Sequence, residues 1–96
     1  MATYITLARW TQQGAQTIKD SPARLDAAKK NFGALGVKIV GFYMTTGSHD
    51  LVIISEAPND DVMAKAMLAT ISKGGITTQT SRAFTEDEYR ALIGSL

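Results

Sequence analysis

Apolar and polar positions alternate through residues 3–9, TYITLAR, and β-branched side chains are frequent there, so this stretch predicts a half-buried strand. Residues 11–20, TQQGAQTIKD, are polar apart from Ala15 and Ile18 and predict a short helix or an ordered loop, with Gly14 weighing against a long helix. The period then changes. In residues 21–36, SPARLDAAKKNFGALG, the side chains of Leu25, Ala28, Phe32 and Leu35 recur on one helical face. Ser21 is placed to cap this helix, Pro22 fits its first turn, and Gly36 suits a left-handed stop.

Two further strands are predicted over residues 37–46, VKIVGFYMTT, and 49–57, HDLVIISEA. Gly47 and Ser48 between them suit a two-residue type II′ hairpin turn. Pro58 closes the second strand. Asn59 or Asp60 then caps a helix with Val62, Met63, Ala66, Met67, Thr70 and Ile71 on one side, and Gly74 and Gly75 end it. Residues 76–84, ITTQTSRAF, predict a fourth strand. The tail, TEDEYRALIGSL, opens with Thr85 and Glu88 at capping-box spacing and carries Tyr89, Leu92, Ile93 and Leu96 as one apolar stripe.

This order is β-α-β-β-α-β plus a helix: an α+β chain of the ferredoxin-like, split βαβ type. The expected form is a single domain over residues 1–96, with a four-stranded antiparallel sheet and the helices on one face. The hairpin register tests the other face. With Gly47 and Ser48 at the turn, Thr45 stands opposite Asp50, and cross-strand partners share a face. One side then carries Val40, Phe42, Met44, Leu51 and Ile53, which suits a core under the helices. The other carries Ile39, Gly41, Tyr43, Val52 and Ile54, with Asp50 and Glu56 at its ends. That second side is too apolar for water, so a homodimer or larger homo-oligomer is expected to cover it. The alternative is that the C-terminal helix folds over its own sheet.

Composition narrows the function. Of 96 residues, 45% are hydrophobic and 20% charged, and the net charge is +1. The chain therefore folds, and it offers no basic footprint for nucleic acid or for an anionic membrane. There is no cysteine, which excludes disulfides and thiolate chemistry. MATYITLARW lacks a secretory layout and no apolar run is long enough to span a bilayer, so a cytoplasmic location is expected.

Several segments resemble the GYD family of small bacterial and archaeal proteins. TYITLARWTQQG resembles its opening strand and Thr-x-x-Gly segment. DSPARLDAAKKNFGALGVKIVGFYMTTG resembles its Ser-Pro-x-Arg helix, Leu-Gly stop and Phe-Tyr strand. GSHDLVIISEAPND resembles the name-giving hairpin and its Glu-Ala-Pro-Asp end, and TTQTSRAFTEDEY the closing strand and capped helix. The resemblance implies a domain of the dimeric α+β barrel kind, a group that includes cofactor-free oxygenases, haem-degrading enzymes, small-ligand regulators and decarboxylases. His49 stands where the family commonly has tyrosine.

The candidate chemistry gathers at the hairpin. His49 and Asp50 are neighbours, but adjacent strand residues leave by opposite faces, which argues against a catalytic dyad. Asp50 is expected on the open face with Tyr43, either bonding turn amides or contacting a ligand. In the ligand-contact reading Arg9 or Arg82, near strand ends, is the counter-charge; the alternative is that either arginine bridges subunits. Tyr4 and Trp10 share a parity and are expected to pack beneath the neighbouring helix, the alternative being that they line a barrel cavity. No metal is expected, since NDD at residues 59–61 reads as a helix start. No cofactor is expected either: a haem would have His49 as its sole axial histidine. The favoured reading is an oligomer that binds a small organic ligand between subunits through Asp50, Tyr43, His49, Arg9 and Arg82, in a sensing or accessory role. The alternatives are a cofactor-independent enzyme using Tyr43, His49 or Asp50 for proton transfer, and a purely structural assembly module.

Overall fold

A computed structural model describes Met1–Leu96. The strands are β1 (Ala2–Trp10), β2 (Lys38–Met44), β3 (Leu51–Ala57) and β4 (Ile76–Ala83), and the helices α1 (Gln12–Gln16), α2 (Ser21–Ala34), α3 (Asp60–Ile71) and α4 (Glu86–Gly94). The sheet order is β2-β3-β1-β4, all antiparallel, as the split βαβ pattern requires.

Local chemistry accounts for most boundaries. α2 closes in a Schellman motif: Gly36 has φ +82°, the amide of Val37 donates to the carbonyl of Phe32 at 2.8 Å, and that of Gly36 to Gly33 at 3.1 Å. The Asn59 side chain caps α3 by accepting the Val62 amide at 3.0 Å. Thr85 and Glu88 form the capping box of α4. Ser21 does not cap α2. A 3-10 turn over Ile18–Asp20 runs directly into that helix, so Ser21 is already its first residue.

The core lies between the sheet and the helices α2 and α3. Tyr4, Phe32, Val37, Ala57, Met63, Ala66 and Met67 form its main cluster. Tyr4, Thr6 and Ala8 of β1 and Leu51, Ile53, Ser55 and Ala57 of β3 all point into this layer and are buried. The buried Thr6 hydroxyl is satisfied by Thr80 at 2.9 Å.

Two expectations about the hairpin are corrected. The register holds near its tip, with Met44 opposite Leu51 and Tyr43 opposite Val52, but it shifts between Ile39 and Gly41. This bulge puts Ile39 opposite Ser55 and against the core, while Val40 is 47% exposed. The expected places of Ile39 and Val40 are thus exchanged. The turn is also not type II′. That turn needs a positive φ at Gly47, and only Gly36 and Gly74 have one. The connection is a broader loop, braced where the Thr45 amide donates to the Asp50 carbonyl at 2.8 Å and the Thr45 hydroxyl to the His49 carbonyl.

α4 does not cover its own sheet. Its stripe of Tyr89, Leu92, Ile93 and Leu96 is 56%, 52%, 53% and 99% exposed, and the molecule extends 49 Å along its long axis. No helix is long and apolar enough to cross a membrane.

Candidate functional site

The face of the sheet away from α2 and α3 is ordered in rows. One row runs Tyr43, Val52, Leu7, Gln79, and the next Gly41, Ile54, Ile5, Ser81. Its apolar half is therefore on β2, β3 and β1, and its polar half on β4. Tyr43 is 59% exposed there and Ile5 38%.

The hairpin loop closes one end of this face. The Arg9 Nε donates to the Ser48 carbonyl at 2.6 Å, and the Ser48 hydroxyl lies 3.3 Å from Nδ1 of His49. Arg9 and His49, with Leu7, Thr77 and Gln79, line a shallow depression. His49 is thus on the open face, opposite to the side that strand alternation predicts. Residues 45–50 lie outside the paired strands, so the alternation rule does not reach them.

Asp50 is drawn into the sheet instead. Its amide donates to the Ala8 carbonyl at 2.9 Å, and its Oδ2 accepts the Trp10 amide at 3.0 Å. The carboxylate replaces a backbone carbonyl and extends the β1–β3 ladder past its last residue pair, Ala8 with Leu51. The backbone amide it meets belongs to a neighbouring strand.

Arg82 is not brought to this place. It pairs with Tyr4 near the opposite end of β1, on the side of the helices. Its guanidinium lies 5.9 Å from the Tyr4 ring centre and 4.6 Å from that of Phe84, and 3.5 Å from Glu88. Beneath it the Tyr4 hydroxyl donates to Oδ1 of Asp60, in the first turn of α3. That bond to a carboxylate, together with burial, raises the pKa of Tyr4. The pairing of Tyr4 with Asp60 joins residues 56 apart, and no sequence spacing announces it. No group of three or more His, Cys, Asp or Glu side chains converges as a metal site would require.

A second concave region lies under the helices, between α2, α3 and the sheet. It is walled by Trp10, Leu25, Phe32, Phe42, Met67 and their neighbours. One end is built from glycine contacts. Gly14 is buried so close to the Gly75 carbonyl that a Cβ would stand 2.0 Å from that oxygen. Thr11 ties the same segments together, donating to the Gly74 carbonyl at 2.6 Å and accepting the Gly14 amide at 3.1 Å. The guanidinium of Arg24 donates to the carbonyls of Thr17 and Gly14 at 3.1 and 3.2 Å.

Fold and surfaces together define a ferredoxin-like domain with one uncovered apolar sheet face. The chain belongs to the GYD domain family, whose model matches residues 4–93. It is 33% identical over 84 residues to a protein of Thermus thermophilus named glutamine synthetase and cystathionine beta-lyase binding protein, covering 86% of this chain and 88% of that one. The crystal structure of TTHA0845 from Thermus thermophilus superposes with a TM-score of 0.56 at 22% identity, covering 88% of this chain and 95% of that one. This last likeness supports the fold.

Proposed function

We propose that this protein is an accessory binding protein that assembles with copies of itself and engages a partner enzyme. The observation that carries this reading is the apolar surface one chain leaves uncovered: Ile5, Leu7, Tyr43, Val52 and Ile54 on the sheet, and the exposed stripe of α4. Contiguous apolar patches of this kind mark interfaces. Packing two sheets face to face about a twofold axis buries the first patch, and α4 then reaches across to the second copy. The similar Thermus protein is named for binding two enzymes, which supports protein partners here as well.

Light scattering on purified protein tests the assembly. A dimer or larger species is expected, and Val52→Asp should dissociate it; a wild-type monomer at micromolar concentration refutes this arm. Interferometry against purified glutamine synthetase and cystathionine beta-lyase from the same organism tests the partner. Saturable binding to at least one is expected, and its absence for both refutes the partner arm.

The linkage of Arg9, Ser48 and His49 favours a second, finer reading: a small organic ligand held at the rim of the subunit interface. In it Arg9 and His49 contact the ligand, Tyr43 borders the apolar side, and Asp50 positions the loop. Arg82, on the other face, takes no part within the same chain. Thermal-shift screening of wild type against His49→Phe and Asp50→Asn tests it, and ligand shifts unchanged in both variants remove these residues from the site.

A further inference from the structure

We infer that the cleft between α2, α3 and the sheet is a binding site for a small monocarboxylate with an apolar, ring-sized body. This site is separate from the rim of the open face and needs neither the assembly nor the partner proposed above.

Two observations converge on it, and a third feature of the wall supplies its probe. The first is size and lining. The cleft encloses about 130 Å³, and 11 of its 17 lining residues are hydrophobic. An apolar cavity of about 150 Å³ takes a benzene molecule. The aromatic rings of Trp10, Phe32 and Phe42 and the side chains of Ile53 and Met67 offer the body a dry surface.

The second is charge. Arg24 and Lys73 are the charged residues on the cleft wall, and no acidic side chain accompanies them. Neither is in an ion pair: the salt bridges of the chain are Arg82 with Glu88 and Arg90 with Glu86. Every hydrogen bond of Arg24 goes to a neutral oxygen, on Thr17 or Gly14. A half-buried guanidinium held in place by carbonyls but lacking an anion is pre-oriented for a carboxylate.

The third feature is Trp10 itself. Trp10 lines the cleft, and its indole Nε1 is buried without an acceptor. Buried donors are nearly always paired, because leaving one unmet costs free energy. With almost no accessible surface, that nitrogen is closed to a ligand in the cleft, so it sets no place for the carboxylate. The two cations alone place the carboxylate, at the part of the cleft wall that Arg24 and Lys73 supply, with the body against Phe32, Phe42 and Met67.

Trp10 is the sole tryptophan, so its emission reads the cleft directly. The full chain is titrated with phenylacetate, octanoate and the neutral analogue 2-phenylethanol, following fluorescence excited at the red edge of tryptophan absorption. At least one carboxylate should saturate with Kd of about 1 mM or tighter. The neutral analogue should bind about tenfold more weakly, the ordinary worth of a charge-assisted hydrogen bond. Lys73→Gln, at an exposed position that tolerates change, should weaken the carboxylate without altering the fold. Ala28→Phe should abolish binding by filling the cleft, while Arg9→Gln, at the open-face rim, should leave it intact. No saturable response to either carboxylate overturns the proposal. Equal affinity for 2-phenylethanol overturns the assignment of a carboxylate. Loss of binding in Arg9→Gln with retention in Ala28→Phe moves the ligand to the rim and overturns the cleft. Should Ala28→Phe fail to fold, the wild-type titrations and Lys73→Gln decide alone.

Discussion

The carboxylate of Asp50 accepts the backbone amide of Trp10 at 3.0 Å, and so ties the hairpin loop to the end of the central strand. One side chain thereby fixes the loop carrying Ser48 and His49 against the strand carrying Arg9. Replacing it by alanine leaves a partly buried amide unmet, at a cost of about 1–3 kcal/mol. For a domain this size that lowers Tm by about 4–8 °C per kcal/mol. Scanning calorimetry should show this for Asp50→Ala and a smaller loss for Asp50→Asn, whose amide oxygen can still accept.

Two glycines should respond in opposite directions. Gly14→Ala forces a methyl group onto the Gly75 carbonyl and should destabilise the fold by about 1–3 kcal/mol. Gly33 lies in α2 with nothing within 4 Å of its missing Cβ and no positive φ, so Gly33→Ala should stabilise by about 0.5–1 kcal/mol. Urea unfolding of both variants measures the contrast, and equal effects would contradict the geometry.

Tyr4 should give the protein an alkaline limit. Its hydroxyl donates to Asp60, which with burial raises its pKa above the usual 10.0. A folded-state pKa above the unfolded one means a contribution fully present below pH 10 and lost as pH rises through the folded value. Denaturation curves from pH 8 to 11 should therefore show a fall in wild type that is reduced in Tyr4→Phe.

α4 should fray in acid before the body unfolds. Hydrogen bonds from the Thr85 backbone hold the pKa of Glu88 below the usual carboxylate value, helped by Arg82. Such a depressed pKa contributes stability above the unfolded value and loses it as pH falls through the folded one. Within a single chain the helix buries little of its stripe, so before assembly its order depends on this cap. Backbone chemical shifts of residues 85–96 should move toward coil values below pH 4 while those of β1 stay fixed, and Glu88→Ala should fray it already at neutral pH.

Assembly should be open to disturbance through α4 alone, with the sheet left intact. Leu92→Asp with Ile93→Asp replaces two half-exposed apolar residues, so the single chain should keep its stability within about 0.5 kcal/mol of wild type. Light scattering on that variant should nonetheless report a smaller particle, and an unchanged mass would show that α4 takes no part in self-association.

Element order, strand and helix type, and most caps were legible in the chain because they rest on nearest-neighbour chemistry. Gly36 needs only its own φ, Asn59 only the amide three residues on, and Thr85 only Glu88. The alternation in LVIISEA likewise places Leu51, Ile53, Ser55 and Ala57 on one side without reference to anything distant.

The tertiary structure decided what depends on partners far along the chain. The bulge at Val40 exchanged its place with Ile39, since Ile39 packs against a core assembled from several elements. Asp50 turned into the ladder because Trp10 presents an unpaired amide there, and His49 moved to the open face because the loop left strand geometry. Arg82 was drawn away from the hairpin by Tyr4, Phe84 and Glu88. The cleft, finally, exists only where α2, α3 and β1 meet. Its cations and its orphaned indole come from residues 10, 24 and 73, which no local pattern relates.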